Sequence, residues 1–205
     1  TEELGDRIHW ILDGGPCAVG VESTILRIHP SGLLELLRPG MISAAELAKT
    51  TGRAVQSAPT HLETLQGLAQ VSPGLLENHY APRKPLFILP APLLALTEHQ
   101  KERIRQRLAP FTEMGFLQRQ GTEESSRKAL GELNPAAHFE VRILSIAGIP
   151  ADCAQNLFRL MRELDASAQT QILLAEPGPS GEGLAHALRD RLAKAGKPLY
   201  PPEIE

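Results

Sequence analysis

The sequence predicts an α/β protein whose C-terminal part is a small domain built on a parallel sheet. Three observations carry that prediction. From Leu86 onward, strand-like and helix-like segments alternate, as they do in βαβ units. Ile172 to Ala175 (ILLA) is a short, wholly apolar run of the buried-strand type, and Val141 to Ile146 (VRILSI) is a strong strand pattern. Before Leu86 the chain reads differently, with a β-rich stretch over 1–52 and an irregular connection over 53–85.

Taken in order, Trp10 to Leu12 is a short apolar segment ended by the turn signal Asp13-Gly14-Gly15-Pro16. Glu22 to Ile28 alternates polar and apolar side chains like a half-buried strand, and Leu33 to Arg38 can return as its hairpin partner across His29-Pro30-Ser31-Gly32. Ser43 and Glu46 form a capping box for a short helix that Gly52 closes. Residues 53–85, rich in proline near their end, read as an interdomain linker; a connection of that length is unusual inside one compact domain. Leu86 to Leu89 is a strand, and Thr97 with Gln100 caps a helix carrying Ile104 and Leu108 on one face. Met114 to Leu117 then reads as a strand and Glu123 to Leu133 as a helix. Asp152 is expected to cap a helix striped by Leu157, Leu160, Met161 and Leu164, and Leu184 to Leu192 forms the last helix. The expected domain organisation is therefore 1–52, a linker over 53–85, and an α/β domain over 86–205.

Composition narrows the function classes. With 205 residues, 42% hydrophobic and 22% charged, the chain is of the soluble globular kind. Its net charge of −3 weighs against a general electrostatic grip on nucleic acid, so strong direct RNA binding is not expected. The two cysteines, Cys17 and Cys153, lack metal-ligand spacing, which favours a reduced, cytoplasmic protein without a structural metal. Leu86 to Leu96 is too short and too proline-rich to span a bilayer, and the first ten residues do not read as a signal peptide.

Read for chemistry alone, several pieces stand out and each has a plain alternative. The glycine-rich stretch from Gly14 to Gly20 lacks the Gly-Lys-Ser/Thr ending of a phosphate loop and reads as a tight connection. Ser23 and Thr24 sit on a predicted strand, where a hydroxyl is most often an ordinary edge residue. Arg38, at a strand end before Pro39-Gly40, has the geometry to hold phosphate oxygens, or is a solvated arginine. The segment from His79 to Pro85 places an imidazole, a phenol and two cations in a stiff stretch suited either to a nucleotide or to interdomain packing. Arg159, Arg162, Arg189 and Arg191 read as solvated helix faces. No catalytic nucleophile is evident.

In combination and order, ILDGGPCAVGVESTILRI, LLRPGMIS and SPGLLENHYAPRKPL resemble the long form of the threonylcarbamoyl-AMP synthase family, and the segment from Ala154 to Leu192 resembles that family's C-terminal domain. The resemblance implies the C-terminal remnant of a YrdC-like α/β domain, a linker and a small Rossmann-like parallel α/β domain, without the N-terminal half of the catalytic domain. It implies an ATP-, L-threonine- and bicarbonate-dependent reaction that forms threonylcarbamoyl-AMP for tRNA modification and releases pyrophosphate, with Mg²⁺ accompanying ATP and no tightly bound cofactor. It places a threonine contact on Ser23 and ATP contacts on Arg38 and Tyr80. Other proteins of tRNA threonylcarbamoylation are the partners it suggests. The competing class is a non-catalytic nucleotide-binding or regulatory α/β module.

Overall fold

The structure is a computed structural model and describes residues 7–57 and 80–200. Most of the expected linker, His79 included, lies outside the described residues. Two sheets organise the remainder.

The first sheet has three strands in the order β1-β2-β3. β1 (Ile25–Ile28) and β2 (Leu34–Arg38) form the expected antiparallel hairpin, and β3 (Val55–Ser57) adds parallel to β2 after α1 (Ala44–Thr51). β3 falls within the stretch expected to be irregular; its short length and polar Gln-Ser ending gave no strand signal. β1 starts three residues later than the alternation suggests. Ahead of Ile25 the chain is drawn off the ladder, because the Thr24 hydroxyl donates to the Ile42 carbonyl at 2.9 Å. The capping box of Ser43 and Glu46 and the left-handed Gly52 bound α1 as the sequence indicates.

The second sheet contains β4 (Leu86–Ile88), β5 (Glu113–Gln120), β6 (His138–Ser145), β7 (Ile172–Ala175) and β8 (Lys197–Pro198), all parallel, in the order β6-β5-β7-β4-β8. The helices between them are α2 (Glu98–Leu108), α3 (Glu123–Leu133), α4 (Pro150–Ala166) and α5 (Leu184–Ala195). Alternation along each strand splits the core in two. Leu117, Leu173 and Ala175 face α4 and α5, while Met114, Phe116, Ile172 and Leu174 face α2 and α3. Both faces of the sheet are covered, which is why β7 is apolar throughout.

Thr97 caps α2 through the expected box. Asp152 does not cap α4. Pro150 opens that helix after Ile149, and Asp152 sits within the first turn, accepting from the Ser145 hydroxyl at 3.0 Å. Proline at the first helical position supplies a preset φ and has no N–H to satisfy, so it overrides the cap signal two residues later. No helix among the described residues is long and apolar enough to cross a membrane.

Candidate functional site

The loop from Cys17 to Thr24 is clamped onto α4 by close backbone approach. Gly20, at φ +74°, lies so near α4 that an added Cβ would stand 2.3 Å from the Gln155 Cα. The Gln155 side chain donates to the Cys17 carbonyl at 3.2 Å, and Val21 packs on the α4/α5 core. Gly40 does the same work on the other side, since a Cβ there would be 2.4 Å from the Thr24 nitrogen. Within the Gly14 to Gly20 stretch the close approach to α4 belongs to Gly20, while Gly14 and Gly15 have open space around them.

This backing brings Ser23 and Arg38 together. Arg38, at the end of β2, is 8% exposed and donates from Nε to the Ser23 carbonyl at 3.0 Å. A second donor reaches the Ser23 hydroxyl at 3.4 Å. The solvated-arginine alternative is thereby removed. Ser23 itself is exposed, so its hydroxyl remains open to a ligand.

Tyr80 lies half-buried on the same ground. Its ring meets Phe158 with centroids 5.3 Å apart, and its hydroxyl is directed to the Glu22 carboxylate. Burial first, and the hydrogen bond to Glu22 second, push the Tyr80 phenol up to about 12. The two cations that follow it are used elsewhere. The Asp165 carboxylate accepts from the Arg83 and Lys84 backbone N–H groups at 3.2 and 2.9 Å, and the Lys84 ammonium donates to the Asp165 and Ser167 carbonyls at the end of α4. Burial would raise the Asp165 carboxyl, but these donors outweigh it and hold it below the usual range. The stretch after His79 thus divides: Tyr80 turns to the site, Arg83 and Lys84 to packing.

The residue that joins all of this is Arg191, which the sequence reading assigned to a solvated face. It is wholly buried. From α5 it donates to the Glu22 carboxylate at 2.9 Å and to the Pro39 carbonyl at 3.2 Å, and its guanidinium lies 5.2 Å from the Tyr80 ring centre. Asp190, held in turn by Lys194 at 2.8 Å, balances its charge. Arg191 therefore touches the neighbour of Ser23, the neighbour of Arg38, and Tyr80 itself. Burial opposes the Glu22 charge, yet hydrogen bonds from Tyr80 and Arg191 leave its carboxyl below the usual range. Arg189 is likewise half-buried, donating to the Gly181 carbonyl at 2.9 Å, whereas Arg159 and Arg162 are exposed as expected. Helical spacing does set Arg191 beside the buried stripe of α5, three residues after Leu188 and next to Leu192, but its charge reads as solvated until Glu22 and the Pro39 carbonyl are in view.

An exposed hydroxyl, a buried guanidinium and an aromatic ring, set where an antiparallel hairpin meets the helices of a parallel sheet, make up the candidate site of an α/β protein. More particularly, the chain belongs to the family described as threonylcarbamoyl-AMP synthase, C-terminal domain, whose profile matches residues 42–196. It is 27% identical over 195 residues to threonylcarbamoyl-AMP synthase of Pyrococcus abyssi, covering 95% of this chain and 51% of that protein. The Bacillus subtilis synthase is 29% identical over 203 residues, again with 95% and 51% covered. Among solved structures, P. abyssi Sua5 complexed with L-threonine superposes with a TM-score of 0.68 at 26% identity, over 96% of this chain and 53% of that one. The chain spans about half the length of the curated relatives it matches.

Proposed function

We propose that this chain forms part of an L-threonylcarbamoyladenylate synthase, with Ser23 contacting L-threonine and Arg38 and Tyr80 contacting ATP. The observation that carries this reading is the convergence of the three: Arg38 bonds Ser23 directly, and Arg191 ties Tyr80 to the residues beside both. The P. abyssi relative was crystallised with L-threonine, which supports a threonine subsite in the same fold.

In the reaction, the threonine amine attacks bicarbonate, forming a C–N bond and releasing water to leave a carbamate. A carbamate oxygen then attacks the α-phosphorus of ATP. The bond to the bridging oxygen breaks and pyrophosphate departs with the electron pair. No protein nucleophile is required, so the residues act by positioning and by stabilising charge. Arg38 is preorganised by Ser23 to face developing negative charge, and Mg²⁺ enters as part of the nucleotide substrate. Tyr80, neutral and held by Glu22, Arg191 and Phe158, offers a fixed ring edge to the nucleotide. The second domain, through Arg191, sets the shape of this half of the site.

Large apolar side chains are exposed in the first segment, Trp10 at 90%, Leu12 at 99% and Met41 at 55% among them. They offer a surface for the further protein mass that the longer relatives possess. The test is pyrophosphate release with ATP and bicarbonate, with and without L-threonine, by this chain and by this chain supplied with the N-terminal half of a relative. Threonine-dependent release that falls about 100-fold on Arg38→Ala is expected. Nucleotide binding indifferent to threonine under every condition would instead support a non-catalytic module.

A further inference from the structure

The loop that enters α4 carries no charge. From Ile146 to Ala151 it reads Ile-Ala-Gly-Ile-Pro-Ala, and the carboxylate of the next residue, Asp152, is engaged by the Ser145 hydroxyl at 3.0 Å. Ile146 is 78% exposed and Ile149 49%, and Ala147, Pro150 and Ala151 are exposed with them. Aliphatic groups grouped in this way in water mark a contact surface, whereas scattered single ones do not.

The loop is also fixed. The Ile149 N–H donates to the Ser145 hydroxyl at 3.1 Å, and the Gly148 N–H closes a turn on the Ser145 carbonyl at 3.3 Å. Gly148 has φ +71°, and a Cβ there would stand 2.5 Å from the Gln120 side chain, so the turn lies tightly over the end of β5. Pro150 then presets the first turn of α4. Two isoleucines held outward on a stiff loop lose little freedom when covered, which favours binding.

Its neighbour in space is the first segment. Cys17 and Gly20 meet α4 at Gln155, and Ala151 lies one helical turn before Gln155 on the same face. Pro16 to Val21 (PCAVGV) is uncharged as well, with Pro16, Cys17 and Ala18 exposed. Two uncharged, exposed stretches from distant parts of the sequence therefore adjoin on one side of α4.

We propose that Ile146 to Ala151 and the stretch around Cys17 form one docking surface for the additional polypeptide that the longer relatives possess, met through an aliphatic, uncharged contact. Two facts choose this occupant. The chain spans about half the length of those relatives, and the profile of the family's C-terminal domain accounts for residues 42–196. Trp10, Ile11 and Leu12, shortly ahead of Cys17, stand 90, 58 and 99% exposed, so a body that covers them abuts the α4 entry. Neither stretch offers a cation to an acidic partner. The proposal rests on the synthase reading only for the origin of the docked body.

Amide hydrogen exchange, read by mass spectrometry, compares this chain with the same chain extended ahead of Thr1 by the N-terminal half of the Bacillus subtilis synthase and, as a second version, of the Pyrococcus abyssi one. The amides of Ile146 to Ile149 are expected to exchange about tenfold more slowly in the extended chains. Ile146→Glu is expected to cancel that protection while leaving thermal unfolding of the unextended chain unchanged, because its side chain is exposed. Leu94→Glu, at an aliphatic residue 69% exposed on the turn after β4, should leave the protection intact. Protection of residues 10–19 alone confines docking to the first segment and overturns the proposal, as does absence of protection in both extended versions. An equal loss on Leu94→Glu overturns it too, because the adhesion would then be general. Equal protection in the unextended chain at high concentration would assign the surface to a second copy, again overturning it. Pyrophosphate release is measured on the same samples: release without loop protection defeats the docking proposal alone, and loop protection without release defeats the synthase reading alone.

Discussion

Replacing Arg191 by methionine tests the joint between the two sheets most directly. Methionine keeps the length and apolar stem of the side chain and removes the charge and its donors. Three interactions go together: the ion pair with Glu22, the bond to the Pro39 carbonyl and the contact with the Tyr80 ring. Breaking a buried ion pair from one side costs about 3–5 kcal/mol, and a stranded buried carbonyl about 1–3 kcal/mol. Glu22 retains 35% of its side-chain exposure, so water can solvate its freed carboxylate. Loss of Arg191 also leaves Asp190 with Lys194 alone. The net expectation is a destabilisation of about 3 kcal/mol, toward the lower end of those terms. Urea unfolding followed by circular dichroism should show it as a midpoint lower by about 1.5 M at a slope near 2 kcal/mol/M. Trp10 is a poor optical probe, being 90% exposed. Combining Arg191→Met with Glu22→Gln should recover about 1–2 kcal/mol as coupling, because each single change already removes the shared ion pair. A single variant within about 0.5 kcal/mol of the parent, or a coupling near zero, would refute the assignment of Arg191 as the link between the sheets.

Gly40→Ala should lower the melting temperature by about 4–8 °C, because its Cβ meets the backbone of Thr24 and Glu22 rather than a movable side chain. Limited alkylation followed by peptide mass spectrometry should label Cys17, which is exposed, and spare Cys153, whose thiol burial raises to about 11. Glu22 and Asp165 are both held below their ordinary values of 4.5 and 3.8, so their contribution is present above those values and is lost as pH falls through the folded ones. Acid titration of stability should accordingly show a smaller loss in Asp165→Asn than in the parent. Tyr80 works in the opposite sense. Its pKa rises from 10.0 to about 12, so the unfolded chain ionises first and stability falls as pH climbs through that window. Tyr80→Phe should flatten that alkaline limb, and an unchanged slope would show that the hydroxyl is not held by Glu22.

The local elements of this protein were readable because their causes are local. The capping boxes at Ser43 and Thr97 satisfy backbone donors three residues away, and the apolar run of β7 declares burial on both faces by itself. The motif order around Ser23, Arg38 and Tyr80 likewise sits in contiguous segments and led to the family that the profile over residues 42–196 bears out. Asp152 shows the limit even of local signals, since Pro150 moved the helix start ahead of it.

Longer-range arrangement was another matter. Alternating strands and helices imply a parallel sheet, but the insertion of β7 between β4 and β5 depends on which edges meet in space. The burial of Arg191 depends on a segment some 169 residues earlier folding over α5 and supplying Glu22 and the Pro39 carbonyl as partners. Arg83 and Lys84 turned to α4 for the same reason, because Asp165 and the free carbonyls of a helix end were there to receive them. Sequence alone determined the α/β class and most helix limits, set by periodicity and caps, and the family resemblance of contiguous motifs implied the candidate trio. The tertiary structure decided which charges are buried, since the cost of burying a cation is met only by partners that distant parts of the chain bring to it.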